Sequence, residues 1–315
     1  MLLVLAGVLS VAHAQVLYGS LTGNVTDPTE AGILGAKVEA TNVLTGLSRQ
    51  ADTDARGAYV FNNLQAGTYR ITATAQGFQT TTVSDVIVNA NEVKRVDFHT
   101  QIATATQTVE VAADAAALQT DKSDVHQEIT AQQVTELPYS GGEGKNFQSL
   151  LYLVPGTVFP ATKEPNSEAG NPMRGQALQV NGVSSSANSY KMDGAPIIYP
   201  WLPVDVAYVP STEAIETVNI STNSFDAEQG TAGGAATNVT IKSGTNELHG
   251  SAFERNQNND LVAVNNYFSH PGRAAKNIFN NYGFSFGGPV YIPKVMNGKN
   301  KLFFFLDYQN IVRRQ

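Results

Sequence analysis

Over the first hundred residues apolar and polar positions alternate in short runs, each ending in a turn signal. Residues 18–26 alternate loosely until Asp27 and Pro28 break the pattern, and 36–43 follow until Leu44, Thr45 and Gly46 turn the chain. Thr53, Asp54 and Gly57 mark a tight turn, with Gly57 free to take positive φ. Residues 58–61 and 68–75 read as paired strands across 62–67. Side chains on a strand alternate with period two, so Tyr59 and Phe61 share one face, as do Tyr69, Ile71 and Ala73. Residues 83–88 and 93–98 close the series. About seven short strands with turns between them predict a small β-sandwich.

The pattern then changes twice. Residues 101–120 are rich in Ala and Thr, with one β-prone patch at Thr108, Val109, Glu110, Val111 and Ala112. Residues 124–137 read as a strand and a short helix ending before Pro138. A second helix is predicted over 145–153, because Phe147, Leu150, Leu151 and Val154 fall at helical spacing before Pro155 and Gly156 stop it. Short strands and Gly-rich turns follow, through 179–182, 190–196, 215–220, 225–234 and 236–244. From 246 onward the runs lengthen. Residues 248–255 alternate, 282–287 alternate aromatic with small residues, and 301–309 are rich in Phe. Strands of about ten residues with aromatics outward and small or polar residues inward mark membrane barrels. The run 303–305 is Phe throughout and does not alternate.

Composition narrows the function classes. Charged residues make up 15%, the net charge is −7, and no basic block stands out, so a nucleic-acid groove is disfavoured. Cysteine is absent, which excludes thiolate metal sites, iron–sulfur clusters, thiol catalysis and disulfides. Residues 1–14 are apolar and end in Ala12, His13 and Ala14, an A-x-A signal that predicts a signal peptide cleaved between Ala14 and Gln15. No Lys or Arg precedes the apolar stretch, and the alternative is a buried N-terminal strand or helix. The run is too short to span a bilayer as a helix.

The chain offers little catalytic chemistry. His13, His99, His126, His249 and His270 form no H-E-x-x-H set. Gly283, Ser285 and Gly287 fit the nucleophile elbow, but the chain runs on into Gly288 and Pro289 rather than turning into a helix. A small inward barrel residue is the better reading of Ser285. The segment 141–145 imitates a phosphate loop without the Ser or Thr that would hold magnesium, since Asn146 stands there. Asp193 and Asp226 read as turn residues. We therefore expect no enzyme, no metal and no cofactor.

The motifs carry a resemblance. Gly35, Val38, Thr53, Asp54, Gly57, Tyr59, Phe61, Leu64, Gly67, Tyr69, Ile71, Gly77 and Phe78 are spaced as in the carboxypeptidase regulatory-like domain, a transthyretin-like sandwich classed with carbohydrate-binding-like folds. Residues 124–245 resemble the plug of TonB-dependent outer-membrane receptors. The similarity rests on the helix end at 150–157, Arg174 and Gly175, Asn181 and Gly182, Asp193 and Gly194, the strand 215–220, Gly233 and Gly234, and the 242–244 turn. The Arg-Gly-Pro usual after the 215–220 strand is replaced by 221–226. That departure points away from siderophore receptors and toward the Oar-like ones.

The resemblance implies a mainly β chain: signal peptide 1–14, sandwich 18–100, linker 101–123, α+β plug 124–245 and the start of an outer-membrane β-barrel at 246–315. It implies a TonB box at 108–112, for which a last sandwich strand or plain linker is the alternative. It implies TonB, outer-membrane lipid and an unknown substrate as partners, in a Gram-negative outer membrane, with plug and sandwich facing the periplasm. A barrel holding a plug needs about 22 strands, so the chain reads as truncated. The rival function is a surface or periplasmic carbohydrate- or peptide-binding sandwich without transport. Tyr59, Phe61 and Tyr69 suit a core better than a sugar platform.

Overall fold

The computed structural model describes residues 18–89, 93–103, 109–112, 125–137, 146–158, 178–223, 229–230, 232–258, 278–294 and 296–314. Its first unit is a two-layer sandwich. The strands are β1 (Tyr18–Thr26), β2 (Lys37–Asn42), β3 (Ser48–Asp52), β4 (Ala58–Gln65), β5 (Gly67–Thr74), β6 (Thr81–Val88), β7 (Val93–Arg95), β8 (Phe98–His99) and β9 (Val109–Ala112). One sheet runs β4-β1-β7, with β8 also on β1; the other runs β3-β2-β5-β6-β9. Leu21, Val25, Val38, Tyr59, Phe61, Tyr69, Ile71 and Phe98 fill the space between them. The aromatics predicted to point inward are buried there, with Tyr59 2% and Phe61 6% exposed.

The strand expected over 93–98 is split in two. At the break Asp97 Oδ1 accepts the Asn24 N–H at 2.8 Å, so a side chain substitutes for the backbone ladder. Residues 109–112 of the β-prone patch enter the sandwich: β9 pairs in parallel with β6, Thr81 opposite Val109 and Ser84 opposite Ala112.

The middle unit holds β10 (Val125–Thr130), α1 (Ala131–Glu136), β11 (Thr157–Val158), β12 (Gln179–Val180), β13 (Ser189–Met192), β14 (Ala195–Pro196), β15 (Ile198–Tyr199), β16 (Leu202–Val206), β17 (Ile215–Asn223) and β18 (Ala236–Ile241). Its main sheet runs β10-β17-β18-β13-β14. Helix α1 forms where predicted, because Thr130 and Gln133 make a reciprocal capping box. The helix expected over 145–153 is instead a 3-10 helix over Phe147–Leu153. Asn146 caps it at one end, and Pro155 bars extension at the other. Phe147, Leu150 and Leu151 still point into a core shared with Ile129, Val134, Ile215, Val218 and Val239.

The third unit is an antiparallel sheet, β19 (His249–Asn258), β20 (Ile278–Pro289) and β23 (Phe303–Arg314), in the order β19-β20-β23. A small hairpin of β21 (Tyr291–Ile292) and β22 (Met296–Asn297) lies in the β20–β23 connection. Strand β20 alternates strictly: Asn281, Gly283, Ser285 and Gly287 are buried, whereas Tyr282, Phe284 and Phe286 are exposed. The chain is mainly β throughout its described residues.

Candidate functional site: a polar seam between the middle unit and the three-stranded sheet

The seam grows from the register of three strands. Ser251 lies opposite Ser285 across β19 and β20, and Ser285 lies opposite Asp307 across β20 and β23, so all three project from one face. The Ser251 and Ser285 hydroxyls meet at 2.9 Å. Arg255, two repeats of the pleat further along β19, stacks its guanidinium over the ring of the intervening Phe253 at 4.7 Å.

The middle unit meets this face with a 3-10 turn, Thr212–Ala214, capped by Ser211. Ser211 Oγ accepts the Ala214 N–H and donates to Asp307 Oδ1 at 2.8 Å, so one hydroxyl both ends the turn and grips the sheet. Glu213 accepts from Ser251 Oγ at 3.1 Å and from the Arg255 guanidinium at 3.3 Å. Arg255 and Glu213 are 31% and 14% exposed, so this is a partly screened ion pair of modest strength. Beside the seam, burial pushes the Glu216 carboxyl above its usual range, and Lys242 and His249 pull it part of the way back.

The opposite face of the sheet is apolar towards one end, while Glu254 and Asn256 are exposed towards the other. Phe284 and Tyr308 approach at 5.7 Å between ring centroids and Phe286 and Phe304 at 5.5 Å, and Leu306 is exposed beside them. A continuous outward row of this kind matches a lipid-facing wall.

A second contact ties the sandwich in. The Asn246 N–H donates to the Leu44 carbonyl at 3.0 Å, and Asn246 Oδ1 accepts the Asn300 N–H at 2.8 Å. Thr217 Oγ1 on β17 donates to Asn89 Oδ1 of the sandwich at 3.3 Å.

Among the described motif residues, Asn181, Gly182, Asp193, Gly194, Gly233 and Gly234 build the middle unit and take no part in the seam's hydrogen bonds, whereas Lys242 N–H donates to the Ala214 carbonyl of the seam's turn. Asn181 and Gly182, at φ 53° and 74°, turn the chain after β12, and Asp193 and Gly194, at 43° and 72°, join β13 to β14. Paired positive φ values of this kind give the tight turns that suit twisted strands. Asp193 Oδ1 also accepts the Ile241 N–H; burial raises its carboxyl and this bond opposes the rise. Gly233 packs beside Ala187 and Gly234 beside Asn188, whose side chain accepts from Ala235 N–H and donates to the Leu178 carbonyl. Ser285 sits mid-strand on β20, away from any strand-to-helix turn. Arg174, Gly175, Thr108, Ala14, Gln15, Asp226 and the 141–145 loop lie outside the described residues. Ser211, Glu213, Arg255 and Asp307 were missed, and the period-two register of 282–287 and 303–309 was the signal available for Asp307.

A cleft of about 480 Å³ lies beside β10 and β17, lined by Gln127, Val154, Gly156, Asn181, Ile220 and Thr222 among others. Its lining holds no acid, base or thiol. Among the described residues no group of His, Asp and Glu is placed to hold a metal ion.

Residues 20–101 match the carboxypeptidase regulatory-like domain, and residues 240–315 match the outer membrane beta barrel domain. The chain is 26% identical over 270 residues to the TonB-dependent transporter Oar of Myxococcus xanthus, covering 81% of this chain and 23% of the relative. The chain is Oar-like. It spans about a quarter of the length of that relative. Among solved structures it is similar to the outer membrane transporter YddB from Escherichia coli, at 18% identity and TM-score 0.42 over 53% of this chain and 24% of that one. It is also similar to the siderophore receptor PirA from Acinetobacter baumannii, at 20% identity and TM-score 0.37 over 52% and 22%. As an Oar-like chain with a barrel domain it is a protein of the Gram-negative outer membrane.

Proposed function

We propose that this Oar-like chain carries the plug and first wall strands of a transporter that takes up an external substrate with energy delivered by TonB. In this reading 1–14 is the export signal, 18–100 a periplasmic sandwich, 101–123 a linker bearing the TonB-captured segment at 108–112, 124–245 the plug and 246–315 the opening of the barrel. The observation that carries it is the two-sided sheet β19-β20-β23. One face offers Ser251, Arg255 and Asp307 to the middle unit, and the other offers rings to lipid. A plug must be held in place yet be displaceable. A few hydrogen bonds and one screened ion pair meet that need better than an apolar interface, because polar partners can be exchanged for water.

Capture of 108–112 follows the chemistry of strand addition, in which backbone hydrogen bonds supply the affinity and side chains matter little. The test is cross-linking in cells that make the whole protein. A Glu110→Cys protein should cross-link to TonB, and adding Val111→Pro should abolish the cross-link while leaving the outer-membrane level unchanged. Undiminished cross-linking in the proline variant would overturn the reading. The sandwich-only alternative gains nothing from Tyr59, Phe61 and Tyr69, whose rings are buried between the sheets.

A further inference from the structure

The outward row of the three-stranded sheet does not stop where β20 ends. Tyr282, Phe284 and Phe286 are exposed on that face, and Gly288 follows opposite Phe304. Val290 N–H then donates to the Leu302 carbonyl at 2.9 Å, so positions 290 and 302 prolong the same face. Leu302 is exposed, as is Ile292 on β21 just beyond it. Gly298 fastens the β21–β22 hairpin to this end of the wall. Its N–H donates to the Val290 carbonyl at 2.8 Å, and its own carbonyl accepts the Leu302 N–H at 2.8 Å. A Cβ at Gly298 would stand 2.6 Å from both the Val290 and the Leu302 carbonyl oxygens, so only glycine permits this approach.

The row has the height of a bilayer core. Tyr282 and Ile292 are ten positions apart. At about 3.3 Å per residue and a tilt of about 40° the wall rises about 25 Å between them, the height of a lipid-facing barrel band. Glu254 of β19 stands opposite Tyr282 and marks one limit. Just past the Ile292 limit lie three exposed lysines, Lys294, Lys299 and Lys301. Residues 289–302 contain no Asp or Glu, although the chain as a whole carries −7. Asn300 N–H donates to Asn246 Oδ1 at 2.8 Å, and Asn246 N–H to the Leu44 carbonyl, so this limit is at the sandwich end of the sheet.

Lipid phosphates sit just outside the apolar band, where a lysine can lay its stem on apolar surface and hold its ammonium among headgroups. We propose that the β20–β23 connection is a lipid foot. Lys294, Lys299 and Lys301 bind the phosphates of anionic phospholipid, and Ile292, Met296 and Leu302 enter the acyl region beside them. The local positive charge offsets the repulsion that an acidic chain meets at an anionic surface. This rests on the reading under Proposed function, which turns the sandwich towards the periplasm and so places the foot in the phospholipid leaflet rather than the lipopolysaccharide one.

The test titrates the whole protein, held in a neutral detergent, with phosphatidylglycerol, phosphatidylcholine or lipopolysaccharide, and counts bound lipid by native mass spectrometry. Phosphatidylglycerol should be held at least about tenfold more tightly than phosphatidylcholine, and salt should shrink the difference. Lys294→Gln, Lys299→Gln and Lys301→Gln should each weaken phosphatidylglycerol binding roughly fivefold and leave phosphatidylcholine binding unchanged. Arginine at all three positions should keep the preference, which separates loss of charge from loss of folding. Equal binding of the two phospholipids by the unaltered protein would overturn the foot, as would glutamine variants that keep the full preference. Selective retention of lipopolysaccharide, lost in the same glutamine variants, would overturn both the leaflet named here and the periplasmic reading of the sandwich.

Discussion

Two kinds of carboxylate behave oppositely in this chain. Asp54 Oδ1 accepts the N–H groups of Arg56 and Ala58, and Asp27 accepts from Thr29 and Ala31. These bonds hold both carboxyls below the usual range of 3.8, with the Ala58 N–H leading for Asp54 and the Thr29 hydroxyl for Asp27. A lowered native pKa gives stability that is present above the unfolded value and lost as pH falls through the native one. Asp54→Ala should therefore lower the melting temperature at neutral pH and flatten the acid limb of the stability curve, as read by calorimetry. Glu216 is the reverse. Burial raises its carboxyl above 4.5, so the folded chain binds the proton more tightly and loses stability as pH rises through that window. Glu216→Gln should raise the melting temperature near pH 7.5 and change nothing below about pH 4, where both states are protonated.

At the scale of elements, caps and registers decide more than propensity. Helix α1 is only six residues long and survives because Thr130 and Gln133 satisfy each other's backbone donors. Thr130→Ala should cost about 1 kcal/mol in a denaturant titration. The short strands β13 and β14 depend on a turn in which Asp193 and Gly194 both sit at positive φ. Gly194→Val should cost more than about 1 kcal/mol, because a branched side chain resists that conformation. The helix periodicity at 147–154 was legible, since it reports which side is buried. The 3-10 geometry was not, because the same buried set at 147, 150 and 151 satisfies either helix.

At the scale of the molecule, the sheet β19-β20-β23 stands between a polar seam and an apolar exterior. Phe284→Arg, on the exposed row, should reduce insertion of the whole protein into vesicles, at a cost of about 2–4 kcal/mol near the bilayer midplane. Glu213→Gln should weaken the seam without affecting insertion. The expected readout is faster amide exchange at 211–214 with an unchanged membrane fraction, and unchanged exchange would argue that the seam carries no hold on the middle unit.

Period-two alternation and turn residues determined the sandwich, the inward aromatics Tyr59, Phe61 and Tyr69, and the outward row on β20, because those properties depend on neighbours along the chain. The seam was decided only by the tertiary structure. Ser211, Glu213, Arg255 and Asp307 are ordinary polar residues until three strands in register and one capped turn bring them within hydrogen-bond distance across as many as 96 positions of sequence. The fate of 109–112 was likewise open in the chain. Its residues suit a strand anywhere, and only the unoccupied edge of β6 determined where that strand would pair.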